Sequence, residues 1–135
     1  MDSRCEGCWR CYYTRLFFNL LLGYAQTQLV LIQNKASFLD DQTKELTNIA
    51  QDWDNAVSRN ADPAALLGIK NRYETVLEVY RFYLDDIDSD IKSLEWTSLI
   101  SGKDAFYEMR IDLQNNYIQL LSVKQMMESS LQLAI

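Results

Sequence analysis

The chain has 135 residues, 48% of them hydrophobic and 24% charged, with one proline and four glycines. That is enough length for one packed core and too little for two, and too much apolar content for a disordered chain. The net charge is −6 and the excess of acids lies beyond residue 35, so the main body repels phosphate backbones and no nucleic-acid partner is expected.

The chain has no histidine. This removes the usual general base, the Ser-His and Cys-His nucleophile pairs, haem attachment through CxxCH and the Glu-x-x-His di-iron motif. No enzyme, catalytic residue or cofactor is therefore expected.

In chain order, the first feature is CEGCWRC, which holds the chain's three cysteines, Cys5, Cys8 and Cys11. The spacing matches three positions of a bacterial ferredoxin half-site, but the fourth falls on Arg15. Zinc would need a fourth ligand from Asp2, Glu6 or another chain. The expectation is no metal: residues 1–15 form a flexible leader whose thiols do no defined work or form a crosslink, since three cysteines cannot all pair within one chain. The apolar run LFFNLLLGYA that follows imitates a secretory signal. It is interrupted by Asn19 and merges into a helical pattern across the would-be cleavage point, so it reads as the start of a helix. No stretch reaches the roughly 18–20 apolar residues of a membrane span, which limits membrane contact to the periphery.

From Leu22 the residues Ala25, Leu29, Ile32, Ala36, Leu39, Thr43, Leu46, Ala50, Trp53 and Val57 follow alternating steps of three and four, and only Thr43 breaks the apolar row. Such a stripe seats against another helix, which predicts a first helix over about 16–59. In RNADPAAL, Asn60 suits a left-handed helix end, Asp62 a cap and Pro63 a first helical turn. A second helix over about 63–99 carries Leu66, Ile69, Tyr73, Val76, Tyr80, Tyr83 and Ile87, then Ile91 and Leu94. A break at Ser101 to Asp104 precedes a third helix over about 105–134, with Phe106, Met109, Leu113, Tyr117, Leu120, Met127 and Leu131 inward. Tyr107, Met109 and Ile111 also alternate as in a short strand, but helix throughout is favoured. The fold class is all-α: a long antiparallel helical hairpin, or coiled coil, with a third helix, forming an elongated three-helix bundle in a single domain over 16–135.

Two other patterns fail as sites. Asp86, Asp88 and Asp90 have calcium-loop spacing, but Ile91 and Thr97 stand where Gly and Glu are required. Gly102-Lys103 lacks the rest of a phosphate loop. Phe82, Leu84 and Leu77 lie out of phase with the second helix's row, so that helix has more apolar surface than one partner covers. Either a third helix packs there or a second molecule does. The candidate interaction surface comprises Tyr80, Phe82, Tyr83, Leu84, Ile91 and Trp96.

Residues 73–121 contain Tyr80, Phe82 and Tyr83, then Ser89-Asp90-Ile91, Trp96, Gly102-Lys103-Asp104 and Ile111-Asp112-Leu113. In this order they resemble the central coiled-coil region of type III secretion needle-tip proteins, with Ser101 in place of the family's proline and Ala105 in place of a glycine. Residues 20–51 resemble, in pattern, the first long helix of secreted filament proteins of the same systems. The resemblance implies a non-enzymatic structural protein, secreted or at a bacterial cell surface, that assembles with itself or with secretion-apparatus subunits. The alternative is a small helical adaptor or chaperone that binds a partner helix.

Overall fold

The computed structural model describes residues 9–93 and 103–134. Their regular structure is helical: α1 (Trp9–Ser58), α2 (Pro63–Ser93) and α3 (Lys103–Ala134), so the chain is all-α. With 50, 31 and 32 residues, the helices are rods of about 75, 46 and 48 Å at 1.5 Å per residue. α1 takes in Trp9 and the residues after it rather than starting at 16, which places Cys11 and Arg15, expected in a flexible leader, in the helix. No proline or glycine lies between Trp9 and Leu22 to stop it. Tyr107, Met109 and Ile111 belong to α3, so the strand alternative falls. Cys5, Cys8, Trp96 and the expected end of the second helix lie outside the described residues.

The turn between α1 and α2 forms where its residue chemistry predicts. Asn60 has φ 53°, a left-handed conformation that asparagine tolerates better than most residues. It brings the Ala61 amide to the Ala56 carbonyl at 3.0 Å and the Asn60 amide to the Val57 carbonyl at 3.1 Å. The Asp62 carbonyl then accepts from the Leu66 amide at 3.1 Å, with Pro63 at the first helical position, where no donor is needed.

α2 packs against both α1 and α3. Polar pairs give the directions. Asp52 meets Arg72 at 2.8 Å and Lys35 meets Asp90 at 2.6 Å, so α1 and α2 run in opposite senses. Lys70 meets Glu128 at 3.6 Å and Asp88 meets Arg110 at 3.0 Å, so α2 and α3 do likewise.

The core takes Ile32, Leu39, Leu46, Ile49 and Trp53 from α1, a run from Tyr73 to Ile91 from α2, and Leu120, Met127 and Leu131 from α3. Each large side chain buried there contributes about 1.5–3 kcal/mol. The α2 row differs in phase from the expected one. Its buried residues are Tyr73, Leu77, Tyr80, Leu84, Ile87 and Ile91, whereas Val76 and Tyr83 are only half-buried. Because α2 has a neighbour on each of two sides, the deepest row faces between them. On α1, Ile49 and Ala56 are buried beside the expected stripe, while Val57 is 48% exposed.

Away from these rows the helices carry spare capacity. Gly68 lies in α2, and a Cβ built on it meets nothing within 4 Å. Gly68→Ala is therefore expected to raise the unfolding free energy by about 0.5–1 kcal/mol through helix propensity, measured as a shift of the urea midpoint at constant slope.

Candidate functional site

The residues expected to form an interaction surface separate into two groups. Tyr80, Leu84 and Ile91 are buried in the chain's own core at 0%, 6% and 1% exposure, so they cannot offer a surface to a partner. The two apolar faces of α2 are used within the molecule, and the presence of α3 accounts for the surplus seen in the sequence. Phe82 stays outside at 65% exposure. Tyr83 is half-buried, its ring 4.4 Å from that of Phe38 and 5.8 Å, edge on, from that of Phe82.

Inside, a polar layer joins the three helices. Asn116 donates from Nδ2 to Thr43 Oγ1 at 2.9 Å and to Tyr80 Oη at 3.0 Å. The Thr43 hydroxyl donates to the Leu39 carbonyl at 3.0 Å, and Tyr80 donates to the Leu113 carbonyl at 3.2 Å. Each donor of the layer thus has an acceptor, which is what a polar group requires when withdrawn from water. Thr43, the one break in the first helix's apolar row, is α1's contribution. Nothing in the sequence around Asn116 distinguished it from a solvent-facing residue. Burial raises the Tyr80 hydroxyl pKa, and the Asn116 hydrogen bond opposes that rise. One layer lower, Tyr73 Oη donates to the Leu120 carbonyl at 2.8 Å.

Flanking the core, Lys70, Glu74, Lys124 and Glu128 close a ring of alternating charge between α2 and α3. Its contacts are Lys70–Glu74 at 2.7 Å, Lys70–Glu128 at 3.6 Å, and Lys124 to both glutamates at 3.7 Å. The hydrogen bond from Lys70, assisted by Lys124, lowers the Glu74 pKa below its ordinary value. The sign follows: a carboxyl lowered on folding stabilises the fold above its unfolded value, and that contribution is lost as pH falls through the folded value. Urea titrations below pH 4.5 are expected to show a weaker acid loss for Glu74→Gln than for the parent. The difference should stay under about 1 kcal/mol because the ring is partly solvated. At the other end Lys35 holds Asp90 and, at 3.4 Å, Asp86. Two of the three aspartates that imitate a calcium loop are thereby engaged as ion-pair partners of α1. The third, Asp88, pairs with Arg110 and with Lys92 at 3.0 Å each. Among the described residues no cluster of ligating side chains could hold a metal ion, and no helix is long and apolar enough to cross a membrane.

The outer faces remain. Large apolar side chains stand exposed on α1 at Leu16, Leu20, Val30 and Leu31, and on α3 at Ile111, Ile118, Met126 and Leu133. Sequence reading concentrated on α2 and missed these; their signal was the scarcity of charge around them. Comparison with protein-family models, curated proteins and solved structures finds no match.

Proposed function

We propose that the chain is a non-enzymatic structural or assembly protein. In this reading α1 and α2 form a long antiparallel coiled-coil hairpin, α3 returns along α2 to complete an elongated three-helix bundle, and the outer faces join the bundle to copies of itself. The observation that carries the reading is the set of large apolar side chains left outside a core that closes without them, among them Leu20 at 65%, Ile118 at 62% and Leu133 at 90% exposure. Single exposed apolar residues are ordinary. Recurrence along one face of a helix marks a contact surface. The resemblance of residues 73–121 to needle-tip proteins supports the same class, and on that basis we assign the chain as a secreted component, of tip or filament type, of a bacterial type III secretion apparatus.

The test is molar mass in solution against concentration, by light scattering on the full chain. The mass is expected to rise above the 15.8 kDa of one chain as concentration passes through the micromolar range. A mass fixed at one chain up to millimolar concentration would refute self-assembly and favour an adaptor that takes up a foreign helix.

A further inference from the structure

Two strips of the surface share an unusual property. No charged residue occurs between Arg15 and Lys35. On α3 the only charges after Asp112 are Lys124 and Glu128, and both are engaged with Lys70 and Glu74 of α2. The exposed side of α3 beyond Asp112 is therefore made of Gln, Asn, Ser and apolar residues alone. Solvent-facing helix surfaces of soluble proteins normally carry charge, as the exposed Asp40, Lys44, Glu78 and Arg81 do here.

Each strip also keeps to one side of its helix. Leu16, Leu20, Val30 and Leu31 are 45%, 65%, 54% and 42% exposed, and at about 100° per residue they fall within a sector of roughly 100°. Ile111, Ile118, Met126 and Leu133 are 50%, 62%, 50% and 90% exposed and fall within about 80°. The strips lie apart on the molecule. The pairs Lys35–Asp90 and Asp52–Arg72 set Ser93, the last residue of α2, level with Ile32. The α1 strip thus lies beyond the level of Ser93, while the α3 strip lies along the side and extends toward the Asn60 turn.

We infer that the chain assembles head to tail, with residues 16–31 of α1 in one copy packing on the face of α3 from Ile111 to Leu133 in the next. This rests on the self-assembly reading above and names its contact. The α1 strip is about 23 Å long and fits within the roughly 33 Å of the α3 strip at 1.5 Å per residue. Beyond Asp112 the two faces meet without stripping water from an ion, which is the main penalty for burying a helix surface. A contact of α1 strip with α1 strip, or of α3 with α3, leaves the other strip bare. The head-to-tail contact covers both in every interior copy with one type of interface. Such an interface is heterologous, so it propagates into a filament or closes into a ring according to the rotation between neighbours. One helix on one helix buries well under the roughly 800 Å² per partner of a standard interface, so each contact is weak and assembly depends steeply on concentration.

The experiment uses two full-length double variants, L20E/L31E with a blocked α1 strip and I118E/L133E with a blocked α3 strip. Circular dichroism first checks that both keep the parent's helix content. If either does not, the single variants L20E and I118E replace them. Each variant alone is expected to remain at the mass of one chain where the parent assembles, an association at least tenfold weaker. Mixed together, they should form pairs of one copy each and nothing larger, because each supplies the strip the other lacks. Assembly by the α3-blocked variant alone would show that α1 strips pair with each other, and assembly by the α1-blocked variant alone would show the same of α3; either overturns the inference. A mixture that stays monomeric overturns it too. A parent that never associates would instead refute the self-assembly reading itself, which keeps the two failures distinct.

Discussion

Tyr73→Ala is expected to lower the unfolding free energy by about 3–5 kcal/mol, the usual cost of emptying an aromatic site in a core. Tyr73 is 1% exposed, and its hydroxyl ties α2 to the Leu120 carbonyl of α3 at 2.8 Å, so the variant loses packing and a link between helices together. Tyr73→Phe keeps the ring and loses only the hydrogen bond, at about 1 kcal/mol. The pair of variants also has a pH signature. Burial pushes the Tyr73 hydroxyl up to about 12, whereas in the unfolded chain it ionises near 10. Above pH 10 the unfolded state releases a proton that the folded state retains. The stability contributed by the neutral phenol is complete below pH 10 and declines as pH rises toward 12, by an amount on the order of 1–2 kcal/mol. Lys35 and Lys70, whose pKa values are raised mainly by hydrogen bonds to Asp90 and Glu74, act in the same direction. The informative quantity is therefore the difference between the parent and Tyr73→Phe: urea midpoints at pH 9 and pH 11.5 should converge. Parallel alkaline losses would show that the Tyr73 hydroxyl reaches water in the folded state.

A second contrast sets Leu84 against its neighbour Phe82. Leu84→Ser is expected to cost about 3–5 kcal/mol, because it removes a buried side chain and leaves a hydroxyl in its place. Phe82→Ser should change folding stability by no more than about 1 kcal/mol, since Phe82 is 65% exposed and gives up only an edge contact with the Tyr83 ring. Thermal melts of both variants beside the parent decide the matter. Comparable losses in the two would mean that Phe82 is covered within the monomer.

The sequence made the class and the turn readable for a definite reason. Steps of three and four persist through all three helices, and Asn60, Asp62 and Pro63 each favour the backbone state found at their position. The phase of α2 was not readable to the same degree. Both Val76 and Leu77, and both Tyr83 and Leu84, are apolar, so periodicity admits either row, and the choice depends on where α3 lies. The surface residues inherited that ambiguity: Leu84 and Ile91 turned out to be core because α2 has two neighbours rather than one. The polar layer was half visible. Thr43 stood out as an interruption in an apolar row, whereas Asn116, between Asn115 and Tyr117, has the composition of an ordinary exposed turn of helix. The uncharged strips of α1 and α3 were open to reading from charge alone, but spacing drew attention to inward-facing residues first.

The four-residue turn at Arg59 to Asp62 also orders events in time. Contacts between α1 and α2 close progressively larger loops with distance from it. The Arg72–Asp52 pair spans 20 residues and the Lys35–Asp90 pair 55, and the entropy of closing a loop grows with its length. The first pairs to form should be those beside Asn60, after which the two helices zip outward. Substitutions at Trp53 are then expected to slow refolding, while substitutions at Ile32, at the far end of the same core, should leave the refolding rate almost unchanged and accelerate unfolding instead. Stopped-flow chevrons of Trp53→Phe and Ile32→Val separate these two behaviours. Equal effects on both rates would mean that the helices meet along their whole length at once.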